Sequence, residues 1–225
     1  MKGMTTMTPN LERAATAALQ TLIDYHVTSA PVAPLRILKS LPRCIVLSFA
    51  EMASGIGIDR KDLLDKYSAE NRDAFTLVKE VNGELRYFTG YNMLLPDYLL
   101  QRAVAREIGH IVLQHDGSRS EDVRMMEAMF FARHLLCPRP LVRAIQETGI
   151  PITIETLGLI TGCYERCLVG MQKSHGVYVD PALNRKVREQ FAAYVSNFID
   201  CQSILTRDDC SALVNFGSYM DKYKE

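Results

Sequence analysis

Residues 99–115 place ionisable side chains where a buried helix needs apolar ones. At about 100° per residue, Leu99, Ala103, Arg106, Glu107, His110 and Leu113 fall on one side of a helix, so three polar groups interrupt an otherwise apolar face. Asp116-Gly117 then stops that helix, and Ser118-Arg119-Ser120-Glu121 has the form of a capping box opening another. In this second helix Val123, Phe130 and Phe131 lie within about 60° of Glu127 around the axis. A carboxylate in the middle of such a stripe is costly unless it is paired, hydrogen-bonded or bound to metal. Residues 95–137 are therefore expected to form two paired helices whose buried polar groups share a site.

The surrounding sequence frames that pair. Ala14, Ala15, Ala18, Leu19, Leu22 and Ile23 recur at helical spacing and predict an amphipathic helix over residues 11–26. The prolines of residues 30–34 break it, and residues 35–41 form a short helical piece. Residues 44–49 are apolar and partly β-branched, as in a strand. Residues 74–81 and 84–91 flank Asn82-Gly83, the dipeptide that best tolerates a tight two-residue hairpin turn. These segments predict a small sheet of at least three strands, mostly antiparallel, and everything after Leu95 reads as helical. The class is α+β. Residues 1–175 are expected to form one domain, with a C-terminal helix and tail over residues 176–225 packed on it.

The chain has 225 residues, 48% of them hydrophobic, with 26 basic and 26 acidic side chains. That is ample for a core, and the balanced charge gives no reason to expect nucleic acid or an anionic membrane as partner. No apolar run approaches the roughly 18–20 residues that span a bilayer, and residues 1–10 lack the order of an export signal, so a cytoplasmic location is expected. Cys44, Cys137, Cys163, Cys167, Cys201 and Cys210 include no C-x-x-C pair. Neither a disulfide framework nor a zinc knuckle is indicated, and Cys163 and Cys167, four apart, read as core residues. Residues 154–171 have a helix-turn-helix rhythm but too few basic residues for a recognition surface. His26 and His175 have no ligand-type partners at useful spacing. Phe75, Tyr87, Phe88 and Tyr91 read as core and cross-strand packing.

Zinc-peptidase helices carry H-E-x-x-H. Histidines at i and i+4 reach one ion, and the Glu beside the first takes a proton from metal-bound water. Here residues 106–110 read R-E-I-G-H, so Glu107 stands at the base position and His110 at the second ligand's. Alone, E-x-x-H is a weak signal, and His110 by itself would read as a satisfied core histidine. The combination R-E-I-G-H-I-V-L-Q-H, a short turn, then E-A-M-F-F-A-R-H-L-L-C-P resembles the ImmA/IrrE family of metallopeptidases, whose pattern is H-E-x-G-H followed by E-A-N-x-F-A-x-x-L-L-M-P. The match comprises Glu107, Gly109, His110, His115, Glu127, Ala128, Phe130, Ala132, Leu135, Leu136 and Pro138. Residues 154–171, with Arg166-Cys167-Leu168, are similar to the family's downstream helices. The resemblance spans about residues 10–175.

That resemblance implies a zincin-like domain and a zinc site made from position 106, His110 and Glu127, with Glu107 as general base. It also implies a protein or peptide substrate of the helix-turn-helix repressor type. The chain departs at Arg106 and at Met129, where the family has Asn. A guanidinium has no acceptor and cannot ligate zinc, which leaves two protein ligands where catalytic zinc usually takes three. His134, seven residues after Glu127, lies roughly 10 Å further along the axis. His115, if helical, points about 140° from His110. Neither is expected to replace the lost ligand. Arg106 is expected instead to take the metal's electrostatic role, pairing with Glu127 and with Glu107. The function so implied is a catalytically impaired, metallopeptidase-like regulator that binds a repressor. The alternatives are an active zinc endopeptidase with a ligand supplied from elsewhere, and a non-enzymatic interaction protein.

Overall fold

A computed structural model describes residues 8–67, 73–115, 118–162 and 177–205. Cys163, Arg166, Cys167, Leu168, His175 and Cys210, and the 163–171 part of the helix-turn-helix rhythm expected over residues 154–171, lie outside these. Helix α1 (Leu11–Asp24) starts where the Asn10 side chain accepts a hydrogen bond from the Arg13 amide. Pro34 opens α2 (Pro34–Ser40). Strand β1 (Cys44–Ser48) stops one residue short of expectation, because Ser48 becomes the cap of α3 (Phe49–Ile56). Its hydroxyl accepts from the Glu51 amide and the Glu51 carboxylate accepts from its own N–H. Helix α4 (Arg60–Tyr67) follows. Neither α3 nor α4 was expected from periodicity.

Strands β2 (Ala74–Val81) and β3 (Glu84–Tyr91) form the expected hairpin, with Asn82 and Gly83 at φ 55° and 78° and Val81 opposite Glu84. The sheet has the order β1-β3-β2. The β2–β3 pairing is antiparallel, but β1 runs parallel to β3, with Cys44 opposite Tyr87. The sheet is thus mixed, not mostly antiparallel. The physical reason is the connection: α3 and α4 carry the chain away from β1, and the hairpin returns with its second strand alongside it.

Among the described residues, the helices after the sheet are α5 (Asp97–Val112), α6 (Glu121–Leu136), α7 (Arg139–Gln146), α8 (Ile154–Thr161), α9 (Pro181–Gln190) and α10 (Ala192–Leu205). Ser120, not Ser118, caps α6, accepting from the Val123 amide. Helix α5 packs against both hairpin strands on one side and against α6 on the other, while α1 packs on α6. The main core joins α1, α2 and α5–α9 through residues such as Leu19, Leu22, Leu38, Ile108, Phe131, Leu135, Leu141 and Phe191. Phe49, Met52, Leu63 and Phe75 form a smaller core, with Phe49 and Phe75 stacked at 5.4 Å. Cys44 and Cys137 are free thiols. Among the described residues no helix is long and apolar enough to cross a membrane.

Close approach of α5 and α6 is set by one position. A Cβ on Gly109 would lie 3.1 Å from both the Cα and the carbonyl oxygen of Ala128, and equally near Phe131 Cδ1. Backbone atoms cannot swing aside as a side chain can. Gly109→Ala, which in an open helix would gain about 1 kcal/mol from propensity, is expected to lower stability instead. Gly109→Val is expected to lower it by about 2–3 kcal/mol. Urea denaturation measures both, and a stabilised Gly109→Ala would contradict this packing.

Candidate functional site

The sheet-facing side of α5 answers its own carboxylate. Glu107, 4% exposed, accepts from Arg106 through Nε at 3.1 Å and Nη2 at 3.0 Å, both at Oε1. The same Nη2 reaches the Ala74 carbonyl at 2.9 Å, tying the guanidinium to the first residue of β2. On the other oxygen, Oε2, Glu107 accepts from Thr76 Oγ1 at 2.8 Å. With its proton so committed, Thr76 accepts in turn from buried Thr89 on β3 at 3.0 Å. Burial pushes the Glu107 carboxyl up, and the Arg106 charge and the Thr76 hydroxyl oppose that shift.

Glu127 is answered by other groups. It is 1% exposed, as its place on an apolar stripe demands. Its Oε1 accepts from Arg119 Nη1 at 2.7 Å and from the Asn10 amide at 2.6 Å, and its Oε2 lies 2.9 Å from His115 Nε2. Arg106 therefore pairs with Glu107 alone, not with Glu127 as expected. Burial alone would raise the Glu127 carboxyl; the Asn10 amide, His115 and Arg119 outweigh it and hold the group low.

His115 enters the site because α5 does not run on to it. The helix ends at Val112, Leu113 is its cap, and Gln114 takes a left-handed φ of 52°. The Gln114 amide then donates to the Ile111 carbonyl and the His115 amide to that of His110, both at 3.0 Å, the two bonds of a Schellman ending. This turn folds His115 back so that its Nδ1 stands 2.9 Å from His110 Nδ1. With Glu127 ionised, His115 donates from Nε2 and accepts at Nδ1. His110 must then donate from Nδ1, leaving its Nε2 as an acceptor. Burial pushes His110 down to about 3, with His115, Arg106 and Arg124 adding to the effect. Burial also lowers His115, against the pull of Glu127.

A cleft of about 200 Å³ opens between β2, α5 and the start of α6, and Thr76, Tyr87, Glu107, His110, His115 and Arg124 are among its lining residues. It collects Glu107 and His110 of the expected site, together with His115, which helical geometry had excluded. Glu127 lies behind His115, and His134 lies elsewhere, its Nδ1 donating to the Phe130 carbonyl at 3.0 Å. Sequence reasoning also missed Thr76, Arg119 and Asn10. Thr76 and Asn10 come in only through contacts between distant segments. Arg119, just before the α6 cap, has no local pattern that announces it as the partner of Glu127.

The zinc set of the resemblance does not fit this arrangement. Both oxygens of Glu127 are committed, and the His115 ring stands between that carboxylate and His110. Arg106 brings a fixed charge against Glu107. Among the described residues no three His, Cys, Asp or Glu side chains are placed to share one ion. Compared with protein-family models, curated proteins and solved structures, the chain gives no significant match to any of them.

His110, His115 and His134 are all held below the ordinary imidazole range, each chiefly because burial disfavours the charged ring. The unfolded chain takes up protons on them near pH 6.5, while folded His110 resists until about 3. Their contribution to stability is complete above about pH 6.5 and is lost as pH falls toward the folded values. The urea midpoint is therefore expected to drop between about pH 7.5 and about pH 5.5, and His110→Asn to flatten that drop. An unchanged slope in the variant would show that His110 is not held neutral.

Proposed function

We propose that this protein is a metallopeptidase-like regulator of the ImmA/IrrE type, built on a zincin-like helix pair, that binds a repressor-type protein without cleaving it. The Arg106–Glu107 pair carries this reading. A general base in a zinc peptidase needs a free carboxylate oxygen facing metal-bound water. Here one Glu107 oxygen is engaged by a guanidinium and the other by the Thr76 hydroxyl. The guanidinium supplies fixed positive charge to a carboxylate that a cation would otherwise neutralise.

Binding still has a surface to use. Strand β2 is at the edge of the sheet, and Ala74, Thr76 and Val78 line the cleft beside His110. An extended peptide can add to such an edge through main-chain hydrogen bonds, with side-chain pockets setting preference. Because Arg106 already uses the Ala74 carbonyl, such a peptide would pair further along the strand. Zinc is not required for this mode.

Metal analysis of protein purified without chelator tests the reading, together with retention of a helix-turn-helix repressor from the same cells. The native chain is expected to carry far less than one zinc and to retain the repressor intact. Arg106→His removes the cation and supplies an imidazole, but Glu127 stays engaged by Arg119, His115 and the Asn10 amide, so bound zinc is expected to remain well below one per chain there too. Near-stoichiometric zinc in the native chain, lost in His110→Ala, would establish the active endopeptidase instead. Failure to retain a repressor, with no zinc in either chain, would leave a non-enzymatic interaction protein of another kind.

A further inference from the structure

Strand β2, at the edge of the sheet, presents its main chain and side chains to the cleft in a fixed alternation. The Asn92 amide donates to the Asp73 carbonyl at 2.9 Å, and the hairpin register runs on from there. Phe75 and Leu77 therefore spend their main-chain groups on β3, while those of Ala74, Thr76 and Val78 point to the open edge. Arg106 donates to the Ala74 carbonyl, in keeping with that alternation. The side chains of Thr76 and Val78 line the cleft. A residue of an added strand lying opposite either one turns its own side chain to the same face. Alternate side chains of a bound peptide thus enter the cleft.

The charges around the cleft do not cancel. Arg106 is matched by Glu107 and Arg119 by Glu127. Arg124, on the first turn of α6, also lines the cleft. It is half-buried, its Nε is buried without a hydrogen-bond partner, and among the described residues its guanidinium makes no ion pair. Glu121, one turn earlier, lines the cleft too but is exposed and makes no ion pair with it. His110 and His115 are held neutral, and the Arg124 charge is one of the causes. The field in the cleft is therefore positive, with one guanidinium unanswered. A cation partly withdrawn from water without a counter-charge is unfavourable unless a ligand supplies one.

A guanidinium fork matches a carboxylate in both geometry and charge. One unmatched charge suits a single carboxylate, whereas a phosphate dianion would also face Glu121 and the acceptor Nε2 of His110. The cleft, at about 200 Å³, is smaller than the roughly 300–1,000 Å³ of small-molecule pockets. That suits one or two side chains of a strand lying outside it. Val78, Tyr87 and Met125 add apolar surface to the lining, against which the methylene groups of such a side chain can pack. We infer that the segment bound along β2 carries an acidic side chain, aspartate or glutamate, opposite Thr76 or Val78, and that Arg124 selects it. The inference rests on the edge-strand mode of binding and adds to it the chemistry of the bound segment.

A positional-scanning library of capped hexapeptides, passed over the immobilised full chain, tests it. Retained peptides are expected to carry aspartate or glutamate at one position. The best of them, titrated in solution, should bind at least about 10-fold more tightly than its amide counterpart, and the difference should shrink as salt is raised. Arg124→Gln should abolish that difference while leaving the affinity for the amide peptide unchanged. Arg124→Glu should favour lysine at the same position. Circular dichroism of each variant checks that the fold is retained. Retention of peptides without an acidic preference, or a preference that survives Arg124→Gln, would overturn the role of Arg124 and leave the edge-strand mode standing. Retention of no peptide by the native chain would overturn edge-strand binding itself, and this inference with it.

Discussion

The guanidinium of Arg106, held between the Glu107 carboxylate and the Ala74 carbonyl, joins the central helix to the edge of the sheet. Without it Glu107 would be a nearly fully buried carboxylate with a single hydroxyl donor. That is a configuration burial strongly disfavours. Thr76 and Thr89 extend the contact into the hairpin, so the register of β2 on β3, which places Thr76 opposite Thr89, is part of how the charge is satisfied. Position 106 therefore links the architecture to the chemistry.

The second carboxylate is satisfied by a separate set of partners. Glu127, His115 and His110 form a chain of hydrogen bonds, and Arg119 and the Asn10 amide close the remaining side of Glu127. Each imidazole stays neutral because the pair is buried near several arginines. The two buried carboxylates are thus satisfied separately, each with its own arginine. Gly109 against Ala128 holds the two helices near enough for this network to form.

Local signals in the sequence carried much of this. Asn82-Gly83 set the hairpin turn and its register, and the apolar neighbours of Glu127 foretold its burial. The capping sequence at Ser48 was equally local, but a short apolar run read as strand obscured it, and α3 and α4 went unread. His115 was misplaced for a different reason. A helical wheel assumes the helix continues, and the left-handed turn at Gln114, a residue without glycine's freedom, is imposed by how α5 ends against its surroundings. Asn10 and Thr76 come from segments distant in sequence from the carboxylates they bind, so their role follows from packing. Arg119 stands just before the α6 cap, with no pattern there to mark it as the partner of Glu127. The parallel placement of β1 is likewise a matter of topology.

A double-mutant cycle on Arg106 and Glu107, read by urea denaturation near neutral pH, addresses the central interaction most directly. Arg106→Met leaves the carboxylate buried without its counter-charge and is expected to cost about 2–4 kcal/mol. In a Glu107→Gln background the same change should cost far less, giving a coupling of about 1.5 kcal/mol or more. Additive losses, with a coupling below about 0.5 kcal/mol, would contradict the view that Arg106 is there to neutralise Glu107.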